Sequence, residues 1–70
     1  MINDLSDAEL LALGRRLSSE RPKLPEEAQG HASNLIEQID NYLIEDAAGR
    51  ALLVPHMLRS LVRLEATRQG

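Results

Sequence analysis

The sequence predicts an all-α fold, a three-helix bundle or a helical hairpin with one further helix, built around a long central helix. Apolar residues recur at spacings of three and four, and no segment alternates apolar and polar residues. Residues that start and stop helices divide the chain into three parts. A chain of 70 residues has the size of one small domain, residues 1–70. We expect its helices near residues 7–20, 25–47 and 54–67.

A capping box marks the start of the first helix. The Ser6 hydroxyl can accept from the Glu9 amide, while the Glu9 carboxylate reaches back to the Ser6 amide. Leu5 and Leu10 flank this box at the positions of a hydrophobic staple. Because Pro22 disfavours helical backbone in the residue before it, the helix must end before this proline.

The second helix is predicted to begin at Pro25, whose fixed φ suits a first helical turn. Small and apolar residues then form one stripe along it, at Ala28, Ala32, Leu35, Ile39 and Tyr42. Gly30 and His31 are poor helix formers, so the sequence leaves open whether the helix breaks there. Gly49 is expected to stop the helix, because glycine is common just after a helix C-terminus.

Proline also sets the predicted start of the third helix. Since Pro55 lacks an amide hydrogen, we expect it in the first turn, with the helix starting between Leu52 and Pro55 and continuing towards Thr67. The apolar residues of this helix cover an arc of about 160°, at Met57, Leu58, Leu61, Val62 and Leu64. So broad an arc predicts contact with two neighbours.

The composition predicts that a second subunit completes the core. A chain this short buries little surface, and it has no cysteine and only one aromatic residue to reinforce the core. Self-association as a two-fold dimer is the expected remedy. The residues predicted to form the self-association surface lie on the apolar faces of helices 2 and 3: Leu35, Ile39, Tyr42, Met57, Leu61 and Leu64.

Charge is distributed unevenly along the chain. Residues 25–49 carry six acidic residues and no Lys or Arg, whereas residues 50–70 carry four Arg and one Glu. This layout predicts that the rims of helices 2 and 3 attract each other, within one chain or in a dimer. Exposed pairs of this kind stabilise a protein by only about 0.2–1 kcal/mol each, so they would select the pairing without driving folding.

The same charges suggest a binding surface for another protein. Glu37 and Asp40 share the outer flank of helix 2, and Ile44 falls among the acidic residues on that flank. Arg59 and Arg63 lie one turn apart on the exposed face of helix 3. These five residues are the predicted partner-binding residues, with the alternative that Ile44 is a single exposed apolar residue of no consequence.

The sequence offers no constellation for catalysis, and we predict neither an enzyme nor a cofactor. The acidic pairs lie on a solvated helix flank, and the glycines are isolated rather than grouped in a phosphate-binding loop. Ser60 follows His56 by four residues, but no acid is placed to complete a triad. His31 follows Glu27 at the spacing of a surface pair, with too few ligands nearby for a metal.

By elimination, the sequence predicts a small adaptor or regulatory protein that acts through helix-mediated protein contacts and self-associates. The alternative is a DNA-associated transcriptional regulator that uses the basic third helix as a dimer, although the chain is acidic overall, with a net charge of −3. No apolar run reaches the length of a membrane span, and the residues from Met1 to Asp4 lack the basic-then-apolar order of a secretory signal. A cytoplasmic location is therefore the expectation.

The order of an acidic amphipathic helix, a turn and an apolar-rich helix ending in Leu64 and Glu65 defines one further pattern. It resembles that of small bacterial connector proteins, which modulate two-component signalling and biofilm regulation. The resemblance covers about half of the chain and implies a regulatory role, without assigning a role to any residue. Seven Arg against one Lys indicates a GC-rich bacterial or phage gene.

Overall fold

Three α-helices follow one another in the computed structural model, which describes residues 4–69, the last of them by its backbone alone. They are α1 (Asp7–Glu20), α2 (Glu26–Ile44) and α3 (Ala47–Gln69), with a 3-10 turn at Arg21–Lys23. The all-α, three-helix prediction is confirmed. The molecule measures 34 × 20 × 17 Å, and its long axis matches the length of α3 at about 1.5 Å per residue.

The first helix forms where the capping box predicts it. The Ser6 hydroxyl accepts from the Glu9 amide at 3.1 Å, and the Ser6 amide donates to the Glu9 carboxylate at 2.9 Å. The backbone and hydroxyl hydrogen bonds from Ser6 hold the pKa of Glu9 below its ordinary value of 4.5. Leu10 is fully buried, and Leu5 packs against the core beside it.

The second helix is continuous through Gly30 and His31, but its predicted end is wrong. The structure ends α2 at Ile44 instead of residue 47, and Gly49 is not its stop signal. Gly49 instead lies in the first turn of α3, where its amide donates to the Asp46 carboxylate at 2.9 Å. Asp46 therefore caps a new helix, and its carbonyl accepts from the Arg50 amide at 2.9 Å.

The third helix begins seven residues before the predicted position 54, and Pro55 lies inside it. The prediction that proline must occupy the first turn is wrong here. Leu53 and Val54 are half-buried, and Leu53 packs against the core, so the helical backbone before Pro55 is held by side-chain burial. Pro55 itself is exposed, so water can reach the Ala51 carbonyl that loses its usual partner.

The α2 and α3 helices form an antiparallel hairpin, and α1 packs against it. Ser60 of α3 donates to the Gln38 side chain of α2 at 2.9 Å, near the middle of the hairpin. All three helices supply the shared core, whose fully buried larger side chains are Leu10, Leu35, Ile39, Met57 and Leu64. Each of these has at most 1% of its surface exposed, so the core closes within one chain.

The cap at Asp46 gives a direct test of where α3 begins. Asp46→Ala is expected to lower the free energy of unfolding by about 1 kcal/mol, because the first turn of α3 loses a hydrogen-bond acceptor. Asp46→Asn, which keeps a side-chain oxygen for the Gly49 amide, should stay near the wild-type value. Chemical denaturation followed by circular dichroism measures both. Equal losses for the two variants would contradict the capping role.

Candidate protein-interaction surfaces

The structure divides the predicted self-association residues into two groups. Leu35, Ile39, Met57 and Leu64 are sealed in the core of a single chain. Tyr42 and Leu61 are half-buried and pack against this core. Self-association through the four sealed residues would require the helices to separate, so the structure does not leave them available as a contact surface.

The acidic flank of α2, comprising Glu37, Asp40 and Ile44, lies on the solvent side of the helix. Both acids line a shallow depression between α1 and α2 that also includes Ser18 and Ile36. Arg21 reaches into the same depression, where its guanidinium donates to the Ser33 hydroxyl at 3.3 Å. Ile44 is 82% exposed, the highest fraction among the large apolar residues described as exposed. The sequence interpretation placed all three on the surface, and the structure agrees.

The outer face of α3 is apolar over most of its length. Spacings of three and four bring six exposed residues onto the side of the helix that points away from the core: Ala48, Leu52, Pro55, Arg59, Val62 and Ala66. Leu52 is 75% exposed and Val62 is 66% exposed. Arg63 is also exposed and borders this face. An apolar stripe on a helix normally packs against a neighbour, but this one faces solvent.

The five predicted partner-binding residues therefore do not form one site. Arg63 lines a depression on the far side of α2, together with Glu27 and His31 of α2 and Thr67 of α3. The depression beside Glu37 and Asp40 instead lies between α1 and α2. The structure thus separates the predicted site into the acidic flank of α2 and the outer face of α3.

The ion pairs join α3 to α1, and not to α2 as the charge layout predicted. Within residues 4–69, the arginines of α3 that pair with acids do so with α1. Arg50 lies 3.0 Å from Asp7, and Arg68 lies 3.7 Å from Glu20. These pairs join the start of α1 to the start of α3 and the end of α1 to the end of α3, so the two helices run in the same direction. The pairs do not involve Arg59 or Arg63, the arginines on which the DNA-associated alternative depends.

Arg50 connects all three helices where α2 turns into α3. Its guanidinium makes two 3.0 Å hydrogen bonds to the Asp7 carboxylate and donates to the backbone carbonyls of Leu43 and Glu45 at 3.3 and 3.1 Å. The same group lies 4.7 Å from the centre of the Tyr42 ring. Hydrogen bonding to Asp7 raises the pKa of Arg50 above its ordinary value. Arg50 thereby donates hydrogen bonds to carbonyls at the α2 C-terminus that have no helical partner.

Because Arg50 makes planar, forked contacts, lysine should not replace it. We expect both Arg50→Ala and Arg50→Lys to lower the melting temperature, since an ammonium group cannot bond two carboxylate oxygens and two carbonyls together. Arg59→Ala is the matched control on the same helix and should leave the melting temperature nearly unchanged. Thermal unfolding followed by circular dichroism compares the three. A Lys variant as stable as wild type would refute this role.

The structure places Ser60 and His56, the two residues weighed for a triad, in different surroundings. Ser60 is buried with its hydroxyl bonded to Gln38, and His56 is exposed. Within residues 4–69, no three His, Cys, Asp or Glu side chains converge on a possible metal site. Among the same residues, no helix combines the length and apolar character needed to cross a membrane.

Comparisons with family models, with curated proteins and with solved structures find no match to this chain. The resemblance to bacterial connector proteins therefore gains no support from them. The outer face of α3 is the feature that sequence reasoning missed, apart from Arg59. Val62, which was predicted on the packing arc of helix 3, is instead exposed on this face, so that prediction is wrong. The sequence feature that indicates this face is the helical spacing of Ala48, Leu52 and Pro55. This spacing becomes informative only when the helix is known to begin at Ala47.

Proposed function

We propose that this chain is a small, non-enzymatic adaptor or regulatory protein that acts through helix-mediated contacts with other protein chains. The observation that supports it is that large apolar residues lie in two places, in a sealed core and on the outer surface. The core is closed within one chain, yet Ile44, Leu52 and Val62 have between 66% and 82% of their surface exposed. Contiguous exposed apolar patches are typical of interaction surfaces, and Leu52 and Val62 lie on one face of α3.

The outer face of α3 has the composition of a surface that binds protein. Protein interfaces combine an apolar centre with a polar border, and arginine is enriched there compared with lysine. On this face, Leu52 and Val62 supply apolar surface, with Arg59 between them and Arg63 at the border. An amphipathic helix can place such a face in a groove of a partner, with anchors at helical spacing.

Self-association belongs to this proposal in a changed form. The sequence suggested that a dimer would complete the core, but the core residues are already sealed. Any contact between copies must therefore use the outer surfaces of folded chains. Such contacts are smaller than a shared core and should be weaker, because obligate dimers bury much more apolar surface.

Site-specific photocrosslinking tests the proposed function. A photoreactive amino acid is placed at Ile44, at Val62 or, as a control, at Ser19, an exposed residue on α1. In an extract of the source cells, the first two positions should give adducts with another protein chain, and the control should not. Excess unlabelled wild-type chain should abolish these adducts. Equal labelling at all three positions, or none, would contradict the proposal.

A further inference from the structure

Two exposed surfaces of this chain carry opposite charges that its own fold leaves unpaired. Within residues 4–69, Glu37 and Asp40 on the acidic flank of α2 lie in no ion pair, and neither do Arg59 and Arg63 on α3. Arg21, the one cation in the depression beside the acids, hydrogen-bonds to the Ser33 hydroxyl. An exposed apolar side chain accompanies each charged pair, Ile44 on α2 and Val62 on α3.

The spacings of the two surfaces match when the helices run antiparallel. Glu37 and Asp40 are separated by about 4.5 Å along α2, and Arg63 and Arg59 by about 6 Å along α3, at 1.5 Å per residue. If Glu37 faces Arg63, Asp40 therefore lies opposite Arg59. Ile44 then lies one turn further, level with Pro55 and about 6 Å along the axis from Leu52, while Val62 lies level with Glu37. The charges are thus complementary along this register, and Ile44 meets the apolar surface of Pro55.

We propose that the occupant of the outer face of α3 is the acidic flank of α2 from a second copy of this chain. The inference rests on the proposed function, because it names one of the protein contacts through which the chain would act. The two surfaces are different, so the contact is heterologous and leaves one free surface at each end of an assembly. Added salt should weaken it, since its charged groups are exposed.

Charge reversal provides a test in which two defective variants restore each other. One variant carries Arg59→Glu and Arg63→Glu, and the other carries Glu37→Arg and Asp40→Arg. Each variant alone brings like charges together, which should weaken self-association at least about tenfold. In an equimolar mixture, each surface again meets its opposite, so association should return. All four side chains are exposed, and circular dichroism should show unchanged helix content.

The measurement is sedimentation equilibrium of the full chain from about 10 µM to about 1 mM, a range that detects weak contacts. The average mass of the wild type should rise with concentration, and less so in high salt. A control with Arg15→Glu and Arg16→Glu makes the same charge change on α1 and should associate like wild type. A monomeric wild type, a reversed variant that still associates, or a mixture that stays monomeric would each overturn the proposal.

A negative result here can be distinguished from failure of the proposed function. If the purified wild type is monomeric while Val62 still crosslinks to a different protein in extract, only the self-contact is wrong. If no protein adduct forms at either surface, the proposed function is wrong as well.

Discussion

Leu35→Ala is expected to lower the free energy of unfolding by about 2–5 kcal/mol, because it removes buried methyl groups and leaves a cavity. Leu35 has none of its surface exposed and lies among core residues from all three helices. A single core in a chain of this size supplies only about 3–5 kcal/mol. We therefore expect the variant to be largely unfolded at 25 °C.

Leu52→Ala is the matched control for that substitution. Leu52 is 75% exposed, so the same change should alter the free energy of unfolding by no more than about 0.5 kcal/mol. Urea denaturation followed by circular dichroism measures both, at low micromolar and at tenfold higher protein concentration. Similar losses for the two variants would show that Leu35 is not the core residue described here.

Pro55→Ala is expected to raise the free energy of unfolding by about 1–3 kcal/mol. Proline inside a helix removes one backbone hydrogen bond and crowds the preceding turn, and alanine removes both costs. The sign of the effect discriminates between two positions of the helix start. If α3 began between Leu52 and Pro55, as the sequence suggested, proline would suit the first turn, and its replacement would be neutral or destabilising.

Pro25→Ala is the control for this second prediction. Pro25 has a φ of −55° and immediately precedes the first residue of α2, where a missing amide hydrogen removes no helical hydrogen bond. Its replacement should leave stability unchanged or reduce it slightly, because alanine also makes the unfolded chain more flexible. Thermal and urea unfolding of both variants would settle the comparison. A loss of stability in Pro55→Ala would contradict a continuous α3.

Local signals account for what the sequence could predict of the fold. The reciprocal bonds of Ser6 and Glu9 lie within one turn, so the start of α1 was readable directly. The turn between α2 and α3 was not readable. Glycine commonly follows a helix end and proline commonly lies in a first turn, so Gly49 and Pro55 predicted a later turn than the one observed. Capping by Asp46 and burial of Leu53 outweighed those preferences. Asp46, three residues before Gly49, was the local signal available.

The candidate site was predictable in part, for a different reason. Exposure of Glu37, Asp40 and Ile44 followed from their position opposite the apolar stripe of α2. Periodicity can show that Leu35 and Met57 face an apolar neighbour, but it cannot show whether that neighbour belongs to the same chain. Three-dimensional packing decides this, and both residues are sealed within one chain. Leu52 was missed because the residues before Pro55 were not counted as helix.

Amide hydrogen exchange of the dilute chain tests most directly whether one chain closes its own core and leaves only its outer surfaces for contacts. The opening free energies of the Leu35, Ile39, Met57 and Leu64 amides should all equal the free energy of global unfolding. Their protection should be the same at about 5 µM and about 50 µM, because folding within one chain does not depend on concentration. Loss of this protection on dilution would contradict the account, since a second chain would then complete the core.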